Sequence, residues 1–122
     1  MTWIAAALGG TIGTLARHGV NVAFARFGQP APYATATVNV AGSFMIGALA
    51  GLIASGRLVM PAPIRIFLFV GILSGFTTFA SFMLDTLALA DGGSPGGAFA
   101  NVVGQTLLGL LATFAAHRLF SS

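Results

Sequence analysis

The side chains of this sequence that could do chemistry are few, and they recur at helical spacing. Thr35, Asn39, Ser43 and Gly47 stand four residues apart, and Asn101, Gln105, Gly109, Thr113 and His117 repeat the pattern. Residues so spaced share one helix face. Arg17 has Thr14 and Asn21 on its own face, and Thr78, Ser81 and Asp85 line a polar face beside Phe79 and Phe82. Amides, hydroxyls and one guanidinium all donate hydrogen bonds, which suits an anion. Each group also has a plainer reading. Amides and hydroxyls hold membrane helices together. Two Phe at i, i+3 commonly face lipid or core. Arg17 could be an anchor near the membrane interface, where a long stem snorkels cheaply, and His18 and His117 read as interfacial.

The missing residue types narrow the chemistry further. There is no glutamate, and the only acids are Asp85 and Asp91, the latter in a loop. Proton-coupled antiporters and cation pathways lean on carboxylates inside the membrane. Their scarcity argues against a small multidrug antiporter, which the length and span count would otherwise fit. There is no cysteine, so neither disulfides nor thiolate metal sites arise. No nucleophile–base pair, phosphate-binding loop or zinc motif is present, and no enzyme is expected. Five arginines and a net charge of +3 are too few for nucleic acid.

The elements that must position these residues follow from composition. Of 122 residues, 57% are hydrophobic and 6% charged, against about 25% charged in a soluble domain. Prolines at 30, 32, 61, 63 and 95 separate four apolar blocks, Trp3–Phe24, Tyr33–Ser55, Ile64–Ala90 and Ala98–Phe120. A helix of roughly 20 apolar residues spans the hydrocarbon core, and spans in lipid must be helices or closed barrels. The blocks are too long for barrel strands. The expectation is an all-α membrane protein, one domain over 1–122, with four transmembrane helices over about 3–25, 33–55, 62–90 and 97–120. No Lys or Arg precedes the first block, so it is expected to remain as a helix instead of leaving as a signal peptide.

Two features bear on packing and topology. The pairs Gly9/Gly13, Gly47/Gly51 and Gly71/Gly75 predict close helix approach. Arg57, Arg65 and Arg118 fall on one side of the membrane, with Arg26 and Arg17 toward the other. That near-balance gives a weak orientation bias, compatible with slight preference or with insertion both ways. Four helices of this length enclose a wet path poorly, so transport would favour an oligomer. The third block is the longest. Its middle, Gly71-Ile72-Leu73-Ser74-Gly75-Phe76-Thr77-Thr78-Phe79, combines glycine with paired β-branched residues that weaken a helix. Such interruptions can mark broken helices at ion sites, and a tilted continuous helix is the alternative.

Three segments resemble the CrcB/Fluc fluoride channels. These are Gly9-Gly10-Thr11-Ile12-Gly13-Thr14-Leu15-Ala16-Arg17-His18, Ala36-Thr37-Val38-Asn39-Val40-Ala41-Gly42-Ser43-Phe44, and Gly71 through Phe82, which is similar to the family's G-x-x-G-G-x-T-T-F-S-T-F. The resemblance extends over nearly the whole chain. It implies a passive fluoride channel in the cell membrane, built as an antiparallel, dual-topology homodimer with two pores. It further implies a third helix broken at 74–78, and a structural Na⁺ on the two-fold axis held by the backbone carbonyls of Ser74 and Thr77. Phe79 and Phe82 would turn ring edges to the ion, which is reasonable because aromatic edges are positive. Asn39 would donate an amide hydrogen bond, and Ser81 and Ser43 would continue the polar path. Asn101 and Gln105 would face the pore, and Arg17 would charge a vestibule or serve structure. Ser74 departs from the family's glycine, where a positive φ would strain it. Ala80 stands for Ser, Asp85 for a frequent Glu and His18 for a common aromatic. A non-transporting membrane scaffold, favoured by the small-residue spacing, is a third reading.

Overall fold

The computed structural model describes all 122 residues, and every regular element is helical. Helix α1 covers Thr2–Arg26 and α2 covers Ala31–Ala54. The third rod is assembled from pieces: α3 (Ala62–Arg65), a π-helical stretch (Ile66–Leu73), α4 (Ser74–Phe76) and, after a break, α5 (Phe79–Asp91). Helix α6 covers Pro95–Ser121. The prolines lie in first turns, with Pro32 and Pro63 just inside α2 and α3 and Pro95 opening α6. The N–H that proline lacks is unpaired at those positions anyway. Ser94 caps α6, its hydroxyl accepting from the Gly97 N–H at 3.3 Å.

Three rods, Ala31–Ala54, Ala62–Asp91 and Pro95–Ser121, are long and apolar enough to cross a membrane. Helix α1 has the length, at 25 residues. Its glycines, threonines, Arg17 and His18 dilute its apolar character, so it does not join the other three on composition, although its block was expected to qualify. Only 14 of the 122 residues are buried, and Val38 is the single large side chain fully enclosed. Leu111, Phe114 and Leu119 are each more than 60% exposed on α6. Such a surface is stable only against lipid or another protein face. The chain is a multi-pass membrane protein.

Backbone contact at glycine draws the rods into two close pairs. A methyl group on Gly9 would meet the Phe67 carbonyl and the Gly71 Cα, and one on Gly13 would meet the Ile72 carbonyl and the Phe76 nitrogen. Gly71 and Gly75 return the contact from the third rod. Gly47 and Gly51 do the same for α2, lying against the α6 backbone at Thr113 and His117. The three glycine pairs therefore work inside one protomer. Thr113 adds a hydrogen bond from its hydroxyl to the Ser43 carbonyl at 3.0 Å. Because the atoms opposite Gly13 are backbone, Gly13→Ala should push α1 off the third rod. Overpacking of this kind costs about 1–3 kcal/mol, and we expect a lower temperature for loss of monodisperse elution in detergent. A variant as heat-resistant as the parent would show that the rods separate freely there.

At the other end of the bundle, Arg57 follows α2 and reaches the C-terminal turn of α6. Its guanidinium donates to the carbonyls of Phe120, at 3.0 Å, and Ser122, and to the Ser55 hydroxyl. A cation there complements the negative end of the helix dipole.

Candidate functional site

The break in the third rod builds the site. Thr77 and Thr78 are extended, with φ, ψ of −84°, 160° and −152°, 118°, as suits two β-branched residues. The interruption is shorter than the expected 74–78, since Ser74 through Phe76 stay helical. Ser74 has a helical φ of −69°, so serine in place of glycine carries no backbone strain. Its hydroxyl donates to the Phe69 carbonyl at 3.0 Å, five residues back, in step with the π-helical winding before it. The π stretch itself was not foreseen, and π segments gather at functional sites.

A broken helix leaves backbone groups to satisfy. Asn39 meets that need directly. Its Oδ1 accepts from the Thr78 N–H at 2.8 Å while its Nδ2 donates to the Thr78 carbonyl at 3.1 Å. The second Nδ2 hydrogen goes to Gln105 Oε1 at 2.9 Å. Gln105 Nε2 donates to Asn101 Oδ1 at 2.9 Å, and Asn101 Nδ2 to the Thr86 hydroxyl at 3.0 Å. The Thr86 hydroxyl donates to the Phe82 carbonyl at 2.8 Å. Asn39, Gln105, Asn101 and Thr86 thus form a one-way chain of four donors from the break, across α2 and α6, to the backbone of α5. Thr86 was missed in the sequence reading. Its place one turn beyond Phe82 was the only available signal.

Two carbonyls at the break lose their usual helical partners. The Thr78 N–H that would have bonded the Ser74 carbonyl goes to Asn39 instead. The Ser81 N–H bonds the Thr78 hydroxyl at 3.2 Å, capping α5 and leaving the Thr77 carbonyl. No other backbone N–H outside the helical ladders turns to either oxygen. The residues implied for a structural cation thus offer hard oxygen ligands without strain, which fits Na⁺.

An open cleft of about 360 Å³ lies beside the break. It brings together Asn39, Ser43, Ser74, Thr77, Phe79, Phe82 and Gln105 from the sequence-derived candidates, and adds Thr78, Thr106 and apolar neighbours. The Phe79 and Phe82 rings are 6.1 Å apart in an edge-to-face pair. Phe82 is buried at 8% exposure, whereas Phe79 is 73% exposed on the open side. Ser81 and Asn101 border separate clefts, although Asn101 joins the first through Gln105. Arg17 is half-buried on α1 and does not line this cleft. Asp85 lies away from it and accepts a 2.6 Å hydrogen bond from Thr35. On the α2 stripe the side chains of Thr35 and Asn39 bond other helices, the Ser43 hydroxyl bonds back to α2, and Asn39 and Ser43 also border the cleft.

Helices fit for a bilayer, one rod interrupted beside a cleft lined by amides, hydroxyls and two phenyl rings with no carboxylate, make this a multi-pass membrane protein. Residues 4–117 match the family described as CrcB-like protein, Camphor Resistance (CrcB), and the chain belongs to that family. It is 46% identical over 114 residues to a protein of Rhodospirillum centenum named fluoride-specific ion channel FluC, covering 92% of this chain and 89% of that one. Proteins of the same name from Opitutus terrae and Thermus thermophilus are 44% and 42% identical. They cover 91% and 96% of this chain, and 86% and 91% of their own.

Proposed function

We propose that this protein is a fluoride channel of the cell membrane, passing F⁻ passively out of the cell. The observation that carries the reading is the cleft at the Thr77–Thr78 break, walled by the Phe79–Phe82 edge-to-face pair and by amide and hydroxyl groups with no acid on its surface. Fluoride is small and tightly hydrated. A dry passage must replace its water with donors and positive ring edges. An inside-negative potential drives an anion outward, at about 2.3 kcal/mol per charge per 100 mV, so no coupled energy source is needed. The names of the relatives agree with this function. The antiporter reading has no support in those names; Asp85 is already bonded to Thr35, and Asp91, expected in a loop, is the last residue of α5 at the end of the rod. The scaffold reading loses its motive, since the glycine pairs are spent within the protomer.

The finer arrangement is part of the proposal. All four rods span the bilayer, with α1 sheltered by its glycine contacts to the third rod. Two copies insert in opposite senses and close each other's clefts. The open side of the cleft and the exposure of Phe79 support a partner there. Na⁺ is held by the Ser74 and Thr77 carbonyls of both copies, fastening the two breaks together by charge. Fluoride runs past Phe79, Phe82, Gln105 and Ser43, with Ser81 and Asn101 extending the polar route and Arg17 drawing anions toward the mouth. Asn39 chiefly holds the break, because both its amide hydrogens are engaged. It reaches the ion only by releasing Gln105.

Efflux of fluoride from liposomes loaded with potassium fluoride tests the function. Flux should be fast once valinomycin balances charge, slow without it, and indifferent to a pH gradient. Vesicles that keep their fluoride with valinomycin present would overturn the proposal, as would flux driven by the pH gradient.

A further inference from the structure

The hydroxyl protons around the cleft can be followed one by one. Ser43 donates to the Asn39 carbonyl at 2.7 Å, Ser74 to Phe69 at 3.0 Å, Thr77 to Leu73 at 3.0 Å, and Thr78 to the Ser81 hydroxyl at 3.2 Å. All of these protons are already committed to acceptors within the protein. A hydroxyl on an apolar helix normally bonds back to the carbonyl four residues earlier, as Ser43 and Thr77 do. Thr106 also lines the cleft, yet its hydroxyl makes no hydrogen bond. It follows Gln105 on α6, and Gln105 commits one of its two amide hydrogens, to Asn101.

We infer that Thr106 contacts fluoride directly, its hydroxyl donating to the ion as it passes the Phe79–Phe82 pair. This deepens the channel reading and rests on it. An anion leaving water must find donors that are not already spent. On this wall the free ones are the Thr106 O–H and the second Gln105 N–H, from consecutive residues of α6 that both line the cleft. Thr106 therefore sets both the rate and the preference for an ion that accepts short, strong hydrogen bonds. Neither composition nor the polar stripe singled it out, because it lies one residue off the Asn101–Gln105–Gly109 line.

The test is fluoride efflux, with valinomycin, from vesicles holding wild type, Thr106→Val, Thr106→Ala or Thr106→Ser at matched protein content. A lost hydrogen bond to a charged group should slow the valine and alanine variants by roughly ten- to a hundredfold. The serine variant, which keeps the hydroxyl, should stay within about twofold of wild type on the same reasoning. The alanine variant guards against a valine that assembles poorly. Wild-type flux in either hydroxyl-free variant overturns the inference. So does a serine variant as slow as the valine one, which would trace the loss to packing. A wild type that holds its fluoride sinks the channel reading itself, a result distinct from these.

Discussion

Phe82→Ile and Phe79→Ile should each slow fluoride efflux by roughly 10- to 100-fold, with the protein expected to elute as before. The size follows from losing one polar partner of a desolvated ion, worth about 1.5–3 kcal/mol for hydrogen bonds to charged groups, at 1.36 kcal/mol per tenfold. Isoleucine keeps the site apolar and removes only the positive ring edge. The two substitutions differ structurally. Phe82 is 8% exposed, so its loss also leaves a gap against its neighbours, whereas Phe79 is 73% exposed and its loss disturbs little within the protomer. Phe79→Ile is therefore the cleaner probe of ring-edge chemistry, and Phe82→Ile should show the larger fall in thermal stability. If both variants conduct like wild type, the rings serve only as packing.

Asn39→Leu should be more damaging still. Leucine fills the volume but orphans the Thr78 N–H, the Thr78 carbonyl and Gln105 Oε1 together. Each stranded buried polar group costs about 1–3 kcal/mol, and lipid offers no water in compensation. The break can then re-form as continuous helix or lose its geometry. Either outcome moves Phe79 and Phe82, whose helix is capped by Thr78. Flux should fall by about two orders of magnitude or more, with an earlier thermal transition in detergent. Flux and stability both at the wild-type level would show that the break is held by something other than the amide.

The Asn39 case shows how far the sequence could be read. Its spacing with Thr35 and Ser43 placed it on a shared face, and a lone amide in lipid demanded partners. Whether those partners were an ion or the protein stayed open, because the answer lies 39 residues away at Thr78 and 66 away at Gln105. The break was legible to within a few residues, since Gly75 and the two threonines weaken the helix locally. The π stretch before it was not, because no residue type in Ile66–Leu73 is specific to that winding. The concern over Ser74 was a fair inference from its glycine relatives. It dissolved once φ proved helical and the extended residues fell at 77 and 78.

Composition alone determined the solvent. With 6% charge and long apolar blocks between prolines, helices in a bilayer follow from the cost of unpaired backbone in lipid. Local chemistry also determined where one rod would fail. The tertiary structure decided which polar groups remain free. A hydrogen bond is a pairwise matter, and its second partner lies on another rod, so only packing could commit the Asn39 amide to the break and leave the Thr106 hydroxyl beside the cleft without a partner.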